Sequence, residues 1–198
     1  MFTGIVEAIG TIVLVEAQGA DSRIGILPAG REFAPLQMGD SIAVQGVCLT
    51  VAELADGNFY ADVSAETLRC TTLGGFKVGS AVNLERSVTP ATRLGGHLVS
   101  GHVDGVGRVS ARDAEGRSVS LHIEAPRELE KYIAAKGAIC VDGVSLTVNN
   151  VTGARFEVNI IPHTLHETTL GGLQIGDTVN LEVDMIARYL ERLIQERA

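Results

Sequence analysis

Cys48 and Thr50 in VQGVCLTV (residues 44–51) have near-copies, Ser145 and Thr147, in VDGVSLTV (141–148). Alternate residues of an extended strand share a face. Val47, Leu49 and Val51 then form one apolar row, and Val144, Leu146 and Val148 another. Gly46, Cys48 and Thr50 point the other way, as do Gly143, Ser145 and Thr147. Such a row is small and polar, and its glycine would let a ligand approach the backbone closely. Hydroxyl and thiol groups beside open backbone suit a flat heteroaromatic ligand held by hydrogen bonds; the structural alternative is small residues under a covering loop. Cys48 is a candidate nucleophile or proton relay, against the commoner fate of a buried inert thiol. Ser145 would be its hydrogen-bonding or nucleophilic partner on a second ligand. His102 is a candidate proton acceptor because an imidazole titrates near neutrality, against a structural histidine following Gly101.

The two stretches belong to a longer register: Thr147 lies 97 residues beyond Thr50 (147 − 50). At the same offset Thr67-Leu68, Thr71 to Gly75 and Val82 to Glu85 recur as Thr164-Leu165, Thr168 to Gly172 and Val179 to Glu182. Gly4, Val6 and Gly10 recur as Gly101, Val103 and Gly107. A unit of this length, present twice, is too long for a solenoid repeat of ~20–50 residues and reads as a duplicated domain. Two similar domains imply two similar half-sites, suited to two copies of one small molecule. The copies disagree at Cys48/Ser145, Ile5/His102, Ser64/Ile161 and Glu66/His163. Drift or a division of labour between the half-sites explains such differences.

Each copy reads as short strands. FYADVSA (59–65), FEVNIIP (156–162) and SVSLHIEA (118–125) alternate at period two, and glycine-rich breaks separate them. Several short strands per copy predict a small closed barrel or a sandwich. Short helices are expected near 27–36 and 125–133, and TPATRLGGH (89–97) is the expected joint. The tail, 184–198, places Ile186, Tyr189, Leu190, Leu193 and Ile194 at spacings of three and four. This predicts an amphipathic helix, packed on its own barrel or in an intersubunit bundle.

The formal charge of −8 argues against nucleic-acid and anionic-membrane partners. Three cysteines without a CxxC pair predict reduced thiols in a cytoplasmic protein. Neither a signal peptide nor a run of ~18 apolar residues is visible. HTLHE (163–167) is not HExxH and lacks a third ligand, so no metal is expected. GVG at 105–107 is no dinucleotide fingerprint.

Taken together, MFTGIVE, the GVCLTV/GVSLTV pair, GGHLVSGHVDGVG (95–107) and NIIPHTLHETTLG (159–171) resemble the alpha-type riboflavin synthases, enzymes of duplicated lumazine-binding repeats. The resemblance covers essentially the whole chain. It implies an all-β protein of two homologous six-stranded Greek-key barrels in tandem plus a C-terminal α-helix, divided as residues 1–97, 98–185 and 186–198. It further implies a cytoplasmic homotrimer without cofactor, in which the N-terminal barrel of one subunit faces the C-terminal barrel of another. The implied reaction is a dismutation of two 6,7-dimethyl-8-ribityllumazine molecules, with association with a lumazine synthase left open.

For site residues, the resemblance implies catalytic roles for Cys48, His102, Ser145 and Phe2, with Phe2 covering a ring. The ligand segments it implies are Thr3, Gly4, Ile5 and Val6; Cys48, Leu49 and Thr50; Asp62, Val63, Ser64, Ala65, Glu66 and Thr67; and Gly101, His102 and Val103. On the second copy they are Lys136; Ser145, Leu146 and Thr147; and Asn159, Ile161, Pro162, His163, Thr164, Leu165 and His166. The family commonly carries Glu where this chain has His163 and His166. The rival readings are a non-catalytic lumazine-binding antenna protein and the flavin-binding barrel of a reductase; the latter would need a nicotinamide domain, for which no βαβ region remains.

Overall fold

The computed structural model describes residues 1–29, 33 and 35–196. In the first half, β1 (Ala8–Gln18), β2 (Asp21–Pro28), β3 (Ser41–Val44), β4 (Val47–Thr50), β5 (Glu53–Ala55), β6 (Asn58–Val63) and β7 (Ala81–Arg86) pair in the order β4-β3-β7-β1-β2-β6-β5. The two ends of that list are pieces of one strand, interrupted at Val51-Ala52, where Ala52 N–H donates to the Tyr60 carbonyl of β6 at 2.8 Å. Six strands therefore encircle one core. In the second half, β8 (Gly105–Glu115), β9 (Ser118–Glu124), β10 (Ala138–Val141), β11 (Val144–Thr152), β12 (Arg155–Ile160) and β13 (Thr178–Val183) close a barrel in the order β10-β11-β12-β9-β8-β13. The counterpart of the interruption is a register shift between Val148 and Val151 in β11. The architecture is the expected pair of barrels.

Alternation builds each core. Val47, Leu49 and Val51 are buried in the first barrel, and Val144 and Val148 in the second. Val119, Leu121 and Ile123 line the second core from β9. The predicted strands 59–65 and 156–162 end early, because each turns into a helix, α1 (Ala65–Cys70) or α2 (Pro162–Glu167). Ser64 caps α1 by accepting from Thr67 N–H at 3.2 Å, and proline opens α2. The breaks at 74–75 and 171–172 lie in 3₁₀ turns, Thr72–Gly75 and Thr169–Gly172. The helix expected near 125–133 is a 3₁₀ turn, Arg127–Tyr132. Of the helix expected at 27–36, Leu27 and Pro28 instead end β2, while 30–32 and 34 lie outside the described residues.

The tail forms α3 (Met185–Gln195), opened by Asp184, which accepts from Ile186 N–H at 3.0 Å. Glu191 bonds Lys131 and Tyr132, and Arg188 reaches Asp104 at 2.6 Å. The Ile186, Tyr189, Leu190, Leu193, Ile194 stripe is left exposed on this chain. Among the described residues, no helix is long and apolar enough to cross a membrane.

Candidate functional site

The repeated octapeptide is a hairpin in both halves. Val44 pairs with Val47 and Val141 with Val144 across two-residue turns. Gln45-Gly46 and Asp142-Gly143 all have positive φ, which is why a glycine closes each turn. The two hairpin tips meet back to back. A Cβ on Gly46 would lie 2.6 Å from Gly143 N, and one on Gly143 would lie 2.8 Å from Gly46 N. The sequence suggested that these glycines admit a ligand; in the structure the other half of the chain occupies that space.

Around the tips the repeat writes its contacts twice. Asn83 Nδ2 donates to the Asp142 carbonyl at 2.8 Å and Asn180 Nδ2 to the Gln45 carbonyl at 2.9 Å. Asn83 and Asn180 accept in turn from Thr169 N–H and Thr72 N–H, both at 2.8 Å. Phe2 and Val99, also 97 residues apart (99 − 2), bridge each other as an antiparallel pair. The two barrels are thus fastened by a pseudo-twofold seam.

The same seam crosses two backbone segments between the barrels. Residues 3–6 leave the first barrel and lie on β11: Ser145 N–H donates to the Gly4 carbonyl at 2.7 Å, and Val6 packs on the second core. Residues 100–103 reach back to β4: Cys48 N–H donates to the Gly101 carbonyl at 2.8 Å, and Val103 packs on the first core. Each polar row is therefore roofed by backbone from the other half.

Two candidate half-sites follow. On the first barrel, half-buried Cys48 and exposed Thr50 share β4's outer face with Asp62, Ser64, Glu66 and Thr67 at the end of β6 and on α1, beside Gly101, His102 and Val103. On the second, Ser145 and exposed Thr147 of β11 accompany Asn159, Ile161, Pro162, His163 and Thr164, beside Gly4, Ile5 and Val6. The pairing of Val148 with Val158 puts Thr147 and Asn159 one step further along the same two strands. Lys136 lies in the turn before β10, its N–H donating to the Val148 carbonyl at 2.7 Å.

Several expected contacts are reassigned by burial. Phe2 is fully buried with Ala43, Val99 and Cys140, so its ring cannot cover a ligand on this chain's surface; it is a wedge between the barrels. Thr3 is buried and its hydroxyl donates to Glu85 at 2.7 Å. Leu49 and Val63 point into the first core, and Leu165 and Leu146 pack on the second, so their side chains serve the cores. Ser64 and Thr67 hydroxyls bond each other at 3.0 Å. Glu66 is held by Arg69 at 2.5 Å and by the Cys70 thiol, which keep its pKa below the ordinary value. His166 pairs with Glu167 at 2.7 Å.

The structure also supplies residues that were not singled out. His97 Nδ1 lies 2.7 Å from Ser145 Oγ, while its Nε2 is buried without a partner among the described residues. Burial lowers the His97 pKa, against the opposing pull of Asp184 and Glu182, which favours the neutral ring. Gly96 makes the approach feasible, because a Cβ there would meet Ser145 Oγ at 2.8 Å. Position 194, the counterpart of His97, lies in α3, so the His97–Ser145 contact has no equivalent at that position. Glu85 and Glu182 were visible only as part of the VNLE repeat; each anchors one crossing segment. Burial raises the Glu85 pKa, and the bonds from Thr3 and Gly4 act against it.

A duplicated barrel with crossed polar half-sites is the architecture of a tandem small-molecule-binding fold, and the comparisons agree. The family described as "Lumazine binding domain" matches twice, over residues 3–87 and 100–184. Riboflavin synthase of Photobacterium phosphoreum is 48% identical over 98% of this chain and 89% of the relative. Riboflavin synthase of Mycobacterium bovis is 47% identical over 98% of both. Among solved structures, LumP complexed with riboflavin superposes with a TM-score of 0.86 at 27% identity, over 92% of this chain and 99% of that one. The chain belongs to the riboflavin synthase family of duplicated lumazine-binding domains.

Proposed function

We propose that this protein is a riboflavin synthase, converting two 6,7-dimethyl-8-ribityllumazine molecules into riboflavin and 5-amino-6-ribitylaminouracil by transfer of a four-carbon unit. One observation carries the reading: both halves keep a half-buried nucleophile-bearing row, Cys48-Leu49-Thr50 and Ser145-Leu146-Thr147, each under backbone from the opposite half. A second relative-like structure, LumP complexed with 6,7-dimethyl-8-(1'-D-ribityl) lumazine, superposes with a TM-score of 0.83 at 26% identity. A ligand-holding antenna that does not convert its lumazine is the alternative, and it would need only one competent half-site.

The chemistry asks first for position. Holding two bicyclic rings antiparallel at a fixed separation removes much of the barrier, because the translational freedom is already lost on binding. Protons then move: the 7-methyl group of one lumazine loses a proton and its carbanion attacks the other ring. Thr50, Thr67, Thr147 and Thr164, with the crossing backbone, hold ring edges; Asp62, Glu66, Asn159, His163 and Lys136 serve ribityl hydroxyls and ring oxygens. Ile161 packs on a ring face. Cys48, Ser145 and His102 relay protons or add to a ring carbon, and neutral His97 is competent to accept a proton from Ser145.

The working enzyme is a cytoplasmic homotrimer, in which the exposed stripe on α3 is covered and the N-terminal half-site of one subunit opposes the C-terminal half-site of the next. The domain division is 1–97, 98–185 and 186–198, and association with a lumazine synthase would bring substrate to the trimer. Incubation of the purified chain with 6,7-dimethyl-8-ribityllumazine should produce riboflavin absorbance. A chain that binds the lumazine tightly and never forms riboflavin is the antenna instead.

A further inference from the structure

We infer that Glu182 and Glu85 are crossed positioning residues: Glu182, on the second barrel, sets the half-site of the first barrel, and Glu85, on the first, sets that of the second. The inference rests on the proposed lumazine-binding half-sites. Glu182 Oε1 accepts from Ser100 N–H at 2.6 Å and from Ser100 Oγ–H at 2.7 Å, and Oε2 accepts from His102 N–H at 2.8 Å. Glu85 repeats the arrangement. Its Oε1 accepts from Thr3 N–H at 2.6 Å and Thr3 Oγ–H at 2.7 Å, and its Oε2 from Gly4 N–H at 2.9 Å. Both side chains are buried, Glu85 at 4% and Glu182 at 2% exposure.

These bonds fall on the segments that cross. Glu182 holds Ser100 and His102 on either side of Gly101, whose carbonyl accepts from Cys48 N–H. Glu85 holds Thr3 and Gly4, whose carbonyl accepts from Ser145 N–H. Each carboxylate therefore acts on the opposite barrel's polar row through one intervening backbone bond, without touching a ligand. Two oxygens that accept three bonds and donate none suit a carboxylate; an amide of the same shape places an NH2 group where an acceptor is needed. That requirement explains a buried acid better than core packing does, since a buried carboxylate otherwise costs stability. The 100–103 segment has one further tie, because Arg188 of α3 donates to the His102 carbonyl at 3.3 Å.

The test uses the full chain with riboflavin as probe, in Glu182→Gln, Glu85→Gln and the milder Ser100→Ala. Calorimetry counts sites, alkylation of Cys48 mapped by mass spectrometry reports the first half-site, and amide exchange reports residues 100–103 and 3–6 separately. Glu182→Gln should speed exchange at 100–103 alone, and should weaken the site that shields Cys48 about tenfold or more. Glu85→Gln should speed exchange at 3–6 and leave the shielding of Cys48 intact while the other site weakens. Ser100→Ala should reproduce Glu182→Gln in weaker form, which serves if the glutamine variant does not fold. Loss of the half-site on the mutated barrel itself, or equal loss at both, overturns the inference. A wild-type chain that shields Cys48 from nothing and takes up no riboflavin removes the half-site reading itself, whatever the variants do.

Discussion

Replacing Asp142 by asparagine should make this protein more stable, by an amount that grows with pH. Asp142 is 1% exposed, at the tip of the hairpin where the barrels meet. Its pKa is raised from 3.8 to about 7, chiefly by burial, against bonds from Asn180 N–H and Gln45 that favour the anion. The folded chain thus holds the proton more tightly than the unfolded chain. Stability from this group is full below about pH 3.8 and falls as pH rises, reaching its floor once pH passes about 7. The separation between 3.8 and about 7, at about 1.36 kcal/mol per pH unit, amounts to about 4 kcal/mol. Asparagine keeps the oxygen that accepts from Asn180 N–H at 2.8 Å and carries no charge at any pH. Its advantage over the native residue should be about 2 kcal/mol near pH 5.5 and about 4 kcal/mol near pH 8.5. Equilibrium unfolding in urea, at one fixed protomer concentration, measures the difference as a displaced midpoint with an unchanged slope. Two curves separated equally at both pH values, or a variant weaker throughout, would refute the burial argument.

His97→Ala should lower kcat for riboflavin formation about tenfold or more with KM little changed, since the ring serves Ser145 and not the ligand. The acid limb of the native kcat profile should lie below the ordinary histidine range, because burial lowers that pKa, and should vanish in the variant; an unchanged limb assigns it elsewhere. Gly46→Ala should cost roughly 2 kcal/mol or more, because it adds a Cβ at φ +78° against the opposing backbone, and thermal unfolding would show a native-like Tm if the tips can part. Truncation after Val183 removes the apolar stripe and the Arg188 tie to His102. Sedimentation should then give a smaller species that binds ligand and makes little riboflavin, whereas full activity in that species would separate the tail from the chemistry.

Much of this molecule is legible without coordinates because duplication leaves an internal comparison. The 97-residue register identifies two equivalent domains, and strict alternation at Val47, Leu49 and Val51 says which side of the strand faces the core. The small polar row at Cys48, Thr50, Ser145 and Thr147 is read the same way, since strand periodicity is local. The helical tail is legible from its three-and-four spacing, for the same reason. The short helices α1 and α2 escape, because six residues at a strand's end carry too few turns for a period to show; the serine cap at Ser64 and Pro162 were their local signs.

The placement of the rows belongs to tertiary structure alone. Gly46 and Gly143 carry one local signature, a tight turn, which fits a ligand cradle as well as a backbone contact; only the meeting of the two tips decides between them. Phe2 likewise reads as a terminal aromatic free to cover a ring until Val99 and Cys140 enclose it. His97 becomes part of a site only because Gly96 lets the joint lie against Ser145, and Glu182 serves Cys48's half-site only because residues 100–103 cross between barrels. Sequence specifies which faces are apolar through short-range periodicity. Which faces meet depends on the packing of segments nearly a hundred residues apart, and no local pattern encodes that distance.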